Sequence, residues 1–99
     1  MTLDDTEARA AVQEYLDAQF ADGDIWDDGD IARSAHTWSV EEHGVIMLLT
    51  VSSEFLHDVP PESIVSRLSA WNIAELLRTS GAAERLIVTT HGPHPEPRP

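Results

Sequence analysis

The sequence contains no cysteine and no lysine, and its aromatic residues are three tryptophans, two phenylalanines and one tyrosine. Without cysteine there is no disulfide framework, no thiolate nucleophile and no sulfur-rich metal site. Long apolar runs are missing too. The longest, Val45 to Leu49, falls far short of the roughly 20 residues that a membrane-spanning helix needs. The opening Met-Thr-Leu-Asp-Asp has neither the basic region nor the apolar stretch of a secretory leader, so a cytoplasmic protein is expected. Of the five glycines, Gly23 and Gly29 lie among carboxylates that would repel a phosphate, which removes a phosphate-binding loop. No Gly-x-Ser-x-Gly turn occurs, and no serine stands at a telling distance from a histidine. Neither an enzyme nor a cofactor is expected.

What the sequence does have is acid. Eighteen Asp and Glu face six arginines, for a formal net charge of -12 over 99 residues. Such a surface repels phosphate backbones and anionic lipid headgroups, so direct binding of nucleic acid or membrane is disfavoured. The same field draws in basic proteins and raises their association rate, which makes a positively charged protein the natural partner. Solubility alone is the competing explanation of the charge. At 41% hydrophobic residues the chain can form a core, unlike a disordered acidic segment. Its length suits one domain that buries roughly two-thirds of its unfolded surface.

Periodicity divides the chain. From Thr6 to Ala21, the residues Ala8, Ala11, Val12, Tyr15, Leu16 and Phe20 make the stripe of an amphipathic helix, with Asp4 or Asp5 available to cap it. Asp22 to Asp30 holds five aspartates and two glycines, a composition read as a loop with Ile25 and Trp26 as anchors. Alternation over Ile31–Val40 predicts a strand with Ala32, Ser34, His36, Trp38 and Val40 on its better buried face. Glu41 to Gly44 then makes a four-residue hairpin loop, and Val45–Ser52 a second strand. Pairing Val40 with Val45 sets Trp38 opposite Met47 and His36 opposite Leu49. Ile46 and Leu48 fall on the other side, so this strand is expected to be central and covered on both faces. Pro60 and Pro61 open a helix that Gly81 closes. Its apolar residues change face near Trp71, where Asn72 and Glu75 resemble a capping box, so either a break or kink there or burial of the helix on several sides is expected. Glu84 to Thr90 is rich in β-branched residues and reads as a third strand. From Pro93 to Pro99 alternate prolines predict a mobile, polyproline-like tail.

The fold expected is α+β: a small two-layer domain over residues 1–92 with element order α-β-β-α-β. Its mixed sheet has three strands in the order 1-2-3, with the helices packed on it. The third strand is then an edge without proline or lysine to protect it, and pairing with its own copy would give a two-fold homodimer.

Three groups of residues carry possible chemistry. The acids Asp22, Asp24, Asp27, Asp28 and Asp30, together with Glu41 and Glu42 of the hairpin loop, form the expected surface for a basic partner. They do not form a calcium loop. Counting from Asp24 puts Trp26 at the third position and Ala35 at the twelfth, where oxygen ligands are required. His91 and His94 are spaced for one metal ion, but no third ligand follows them and no metal is expected. His36, Trp38 and His57 could line a small-molecule-binding or weakly catalytic pocket under the helices, whereas an acid/base pair of His57 with adjacent Asp58 needs a turn to bring them together. No motif names a family. The best reading is a non-catalytic module that binds a basic protein, as an inhibitor, antitoxin-like, immunity-like or nucleic-acid-mimicking protein does. A small-molecule-binding domain and a purely structural homodimeric subunit are the alternatives.

Overall fold

The computed structural model describes residues 6–32 and 35–97, excepting the side chains of residues 30–32. Within them the elements run α1 (Thr6–Gln19), β1 (Asp24–Ala32), β2 (Ala35–Glu42), β3 (Val45–Ser52), α2 (Ser53–Asp58), α3 (Pro61–Ala70), α4 (Ile73–Ser80), β4 (Glu84–Thr89) and β5 (Gly92–Pro97). The domain is α+β with one mixed sheet, as expected. The sheet has five strands rather than three, in the order β1-β2-β3-β4-β5. Only β3 and β4 are parallel. The cap expected from Asp4 or Asp5, and the facing of Ala32 and Ser34, lie outside the described residues and side chains.

Both additional strands come from segments whose composition argues against strands. The aspartate-rich stretch is not a loop. Ile25 pairs with Val40, Trp26 with Ser39 and Asp27 with Trp38, and partial burial of Ile25 against the core outweighs the poor strand propensity of aspartate. Ala32 pairs with Ala35, so the strand expected over Ile31–Val40 belongs to two strands and the chain reverses within it. At the other end, β5 pairs antiparallel with β4, from Thr89 opposite Gly92 to Glu84 opposite Pro97. An antiparallel edge strand points every second N–H at its neighbour. Pro93, Pro95 and Pro97 occupy one set of alternate positions, leaving Gly92, His94 and Glu96 as donors. The expected tail is thus a paired strand as far as Pro97, and the bare edge on which the homodimer expectation rested is occupied. The third expected strand, β4, is internal.

The β2/β3 hairpin is tighter than the four-residue loop expected. Glu42 pairs with Val45, which leaves His43 and Gly44 as the loop, both at positive φ, 54° and 79°. Positive φ at both central residues is the requirement of a type I′ turn, where Asn-Gly is preferred. Trp38 therefore sits opposite Leu49 and His36 opposite Val51, two residues from the expected register. A shift of two preserves which face each side chain occupies. His43→Asn should raise stability by about 1 kcal/mol, read as a higher urea midpoint with an unchanged slope.

One face of the sheet carries Trp38, Val40, Met47, Leu49, Val51, Leu86 and Val88, all buried in a single cluster with residues of all four helices. Ser52 caps α2 by accepting from the Phe55 N–H at 3.1 Å, which presents Phe55, Leu56 and Val59 to that core. Of the break, kink or many-sided burial expected near Trp71, the break occurs, but without a capping box. Asn72 adopts a left-handed conformation and its side chain makes no cap bond. The Tyr15 hydroxyl accepts from the Ala74 N–H at 3.0 Å instead, so a residue of α1 caps α4. Gly81 ends α4 with φ of 56°. β3 is central, as expected, but the helices cover it on one face only, and on the other Thr50 is buried while Ile46 and Leu48 are not. Among the described residues every helix lies on the Trp38 side.

Candidate functional site

The uncovered face can be built row by row from the pairings. Trp26, Ser39, Leu48, Arg85 and Glu96 lie side by side across the five strands. On one side of this row come Asp24, Glu41 and Ile46, and on the other Gly29, Thr37, Thr50, Ile87 and His94. Trp26 is 47% exposed and Ile46 46%, while Leu48 and Ile87 are half-buried. Large exposed apolar side chains are unremarkable singly, but here they share one surface. Asp24 stands directly opposite Glu41, a like-charge pair that a nearby cation would relieve.

The hydroxyls of β2 and β3 on this face are bonded within the face. The Thr37 and Thr50 hydroxyls are bonded to each other at 3.0 Å, and Ser39 Oγ donates to the Asp28 carboxylate. Arg85 is the cation of the face, and its buried Nε has no hydrogen-bond partner among the described residues.

The remaining expected acids go elsewhere. Asp22 is exposed in the turn before β1. Asp27 shares the core-side face with its partner Trp38, where its carboxylate is bonded to His36 Nε2 and accepts from the Gly29 N–H at 3.0 Å. Glu42 accepts from Arg78 Nε at 3.0 Å and from its Nη2 at 3.2 Å. That hydrogen bonding holds the Glu42 carboxyl below its usual range. Arg78 also donates to the Gln19 carbonyl at 2.9 Å and lies over the Phe20 ring, so the pair ties the β2 terminus to α1 and α4. The side chain of Asp30 lies outside the described residues. Of the six acids whose side chains are described, Asp24, Asp28 and Glu41 are the ones the fold brings to the uncovered face.

Comparison with protein-family models, curated proteins and solved structures finds no match. The molecule's own geometry therefore carries the functional argument.

His36 and Trp38 pack with ring centroids 4.5 Å apart. Both are buried, and Trp38 Nε1 donates to Gln13 at 3.1 Å. His57 is exposed on α2 and lines a recess with Glu7, Asp58 and Pro60 to which neither His36 nor Trp38 contributes. Among the described residues no three His, Asp or Glu side chains are placed to hold a metal ion, and no helix is long and apolar enough to cross a membrane. His91 stands in the turn before β5 and His94 within it.

Sequence reasoning singled out the acids but passed over Trp26 and Ile46 as surface residues. Alternation over Asp24–Asp28 was the available signal, because it separates Ile25 and Asp27 from Asp24, Trp26 and Asp28. Arg85 had no such signal, since its place depends on the parallel pairing of β3 with β4.

Proposed function

We propose that this chain is a small non-catalytic interaction module that binds a basic protein, in the manner of an inhibitor, antitoxin-like, immunity-like or nucleic-acid-mimicking protein. The observation that carries this reading is the uncovered sheet face, where exposed Trp26 and Ile46 stand beside Asp24, Asp28 and Glu41. Aromatic anchors ringed by polar residues are the usual anatomy of a protein interface. The carboxylates add long-range attraction for a partner of opposite charge. Asp27 and Glu42 serve the fold through His36 and Arg78 and are not needed for contact.

The test is capture from the lysate of the protein's own organism at low and high salt, alongside the triple variant Asp24→Asn, Asp28→Asn, Glu41→Gln. Wild type should retain a protein of basic isoelectric point at low salt and release it at high salt, because screening shortens the reach of the carboxylates. The variant should retain at least tenfold less. Equal retention by both would remove these acids from the interface.

A further inference from the structure

We infer that the uncovered sheet face is a docking trough for an amphipathic helix of a basic partner protein, with the helix's apolar stripe seated on Trp26, Ile46, Leu48 and Ile87. This rests on the proposed function and specifies its surface and occupant.

The trough follows from the row positions. Trp26 on β1 and Leu48 on β3 are two strands apart in one row, with small Ser39 between them on β2. Two strand spacings amount to about 9.5 Å, close to the roughly 10 Å diameter of a helix with its side chains. Half-buried Ser39 forms the floor, with its hydroxyl donating to Asp28; Thr37 and Thr50 beside it are already buried, their hydroxyls bonded to each other. An apolar stripe laid over Ser39 would leave its hydroxyl paired, which avoids the usual penalty of covering a polar floor.

Other ways of engaging the sheet are obstructed. Proline at alternate positions leaves β5 without donors on its outer edge. The aspartates of β1 and its irregular register between Asp27 and Gly29 make that edge a poor template for a further strand. A second copy of the chain is a poor occupant too. Stacking two such faces would bring Asp24, Asp28 and Glu41 against their own kind, between molecules that each carry a net charge of -12. A helix with Lys and Arg flanking its stripe meets those carboxylates on the β1/β2 side and relieves the Asp24–Glu41 opposition. Beyond Leu48 the sign changes at Arg85, so the basic flank of the partner belongs on the β1 side.

The probe is an 18-residue Leu/Lys peptide patterned as an amphipathic helix, titrated into the isotopically labelled full chain and followed by NMR and calorimetry. A scrambled peptide of the same composition and a Leu/Glu counterpart serve as comparisons. Amide shifts should concentrate at Trp26, Ser39, Leu48 and Ile87, with at least tenfold weaker binding for the scrambled peptide and none for the Leu/Glu helix. Trp26→Ala and Ile46→Ser should each weaken binding tenfold or more while leaving the melting temperature within a few degrees. Binding that maps to Glu14 and Asp17 of α1, that ignores both substitutions, or that is matched by the scrambled peptide would overturn the trough and leave the basic-partner reading standing. Failure of both Lys-containing peptides to bind would overturn both. Equal binding of the Leu/Glu helix would overturn the charge assignment, and a concentration-dependent dimer abolished by Ile46→Ser would make a second copy the occupant.

Discussion

Trp38→Ala should destabilise the domain by about 3–5 kcal/mol, the range for truncating a large buried aromatic. Trp38 is fully buried at the centre of the core-side face, paired with Leu49 and packed at a tilt against the His36 ring. Its loss leaves a cavity bounded by the sheet on one side and α1 on the other, where a rigid sheet and a helix cannot easily close in. Stabilities of such domains total about 5–15 kcal/mol, so the variant should lie close to the edge of folding. Its melting temperature should fall by more than about 12 °C. Trp38→Phe separates packing from hydrogen bonding. It keeps a six-membered ring and loses the rest of the indole together with the donor to Gln13, a residue half-buried and able to reach water. That variant should cost about 1–2 kcal/mol. If the two variants melt alike, the Gln13 bond rather than the ring holds α1 to the sheet.

Gly23→Ala should cost about 1–3 kcal/mol, and the damage should be local. A β-carbon on Gly23 would lie 2.4 Å from the carbonyl oxygen of Glu41. That oxygen belongs to the backbone of β2 and cannot swing aside, so the start of β1 must move away. The pairs Asp24–Glu41 and Ile25–Val40 should lose amide-exchange protection while the β2/β3 hairpin keeps its own. Displacing β1 also carries Asp24 and Trp26 off the uncovered face, so under the proposed function affinity for a basic partner should fall in a domain whose helices stay folded. Gly29→Ala meets nothing within 4 Å and is strained only by its φ of 76°. It should cost no more than about 1–2 kcal/mol. Equal exchange protection in Gly23→Ala and wild type would show that the strands can separate at that point without loss.

The longer helical segments and the central strands were legible because each buries one side. In α1 the 3.6-residue stripe is complete, and in β2 and β3 alternation assigns faces even when the register is displaced by two. The break at Trp71 was visible in a change of apolar face, whereas its true cap, the Tyr15 hydroxyl, was not, because it comes from 59 positions away in the chain. α2 was missed although Ser52 precedes the Phe55, Leu56 and Val59 spacing of a short helix. β1 and β5 were missed for a common reason. Aspartate and proline disfavour strands on average, and only the neighbouring strand decides whether a particular alternation of them can pair. The candidate site was half legible. Its charge is plain in composition, but its apolar part becomes visible only once β3 is known to be bare on one side.

The prolines that close the β5 edge also limit how firmly it is held. Half of that strand's residues donate no hydrogen bond and it has a single neighbour, so its detachment should require less free energy than global unfolding. Each detachment bares the flank of β4, whose Leu86, Ile87 and Val88 make a strong template for intermolecular pairing. Resistance to aggregation then depends on the lifetime of a six-residue strand as well as on mutual repulsion between acidic molecules. A protease that trims the C-terminus only while it is detached would remove that cover permanently, without touching the core.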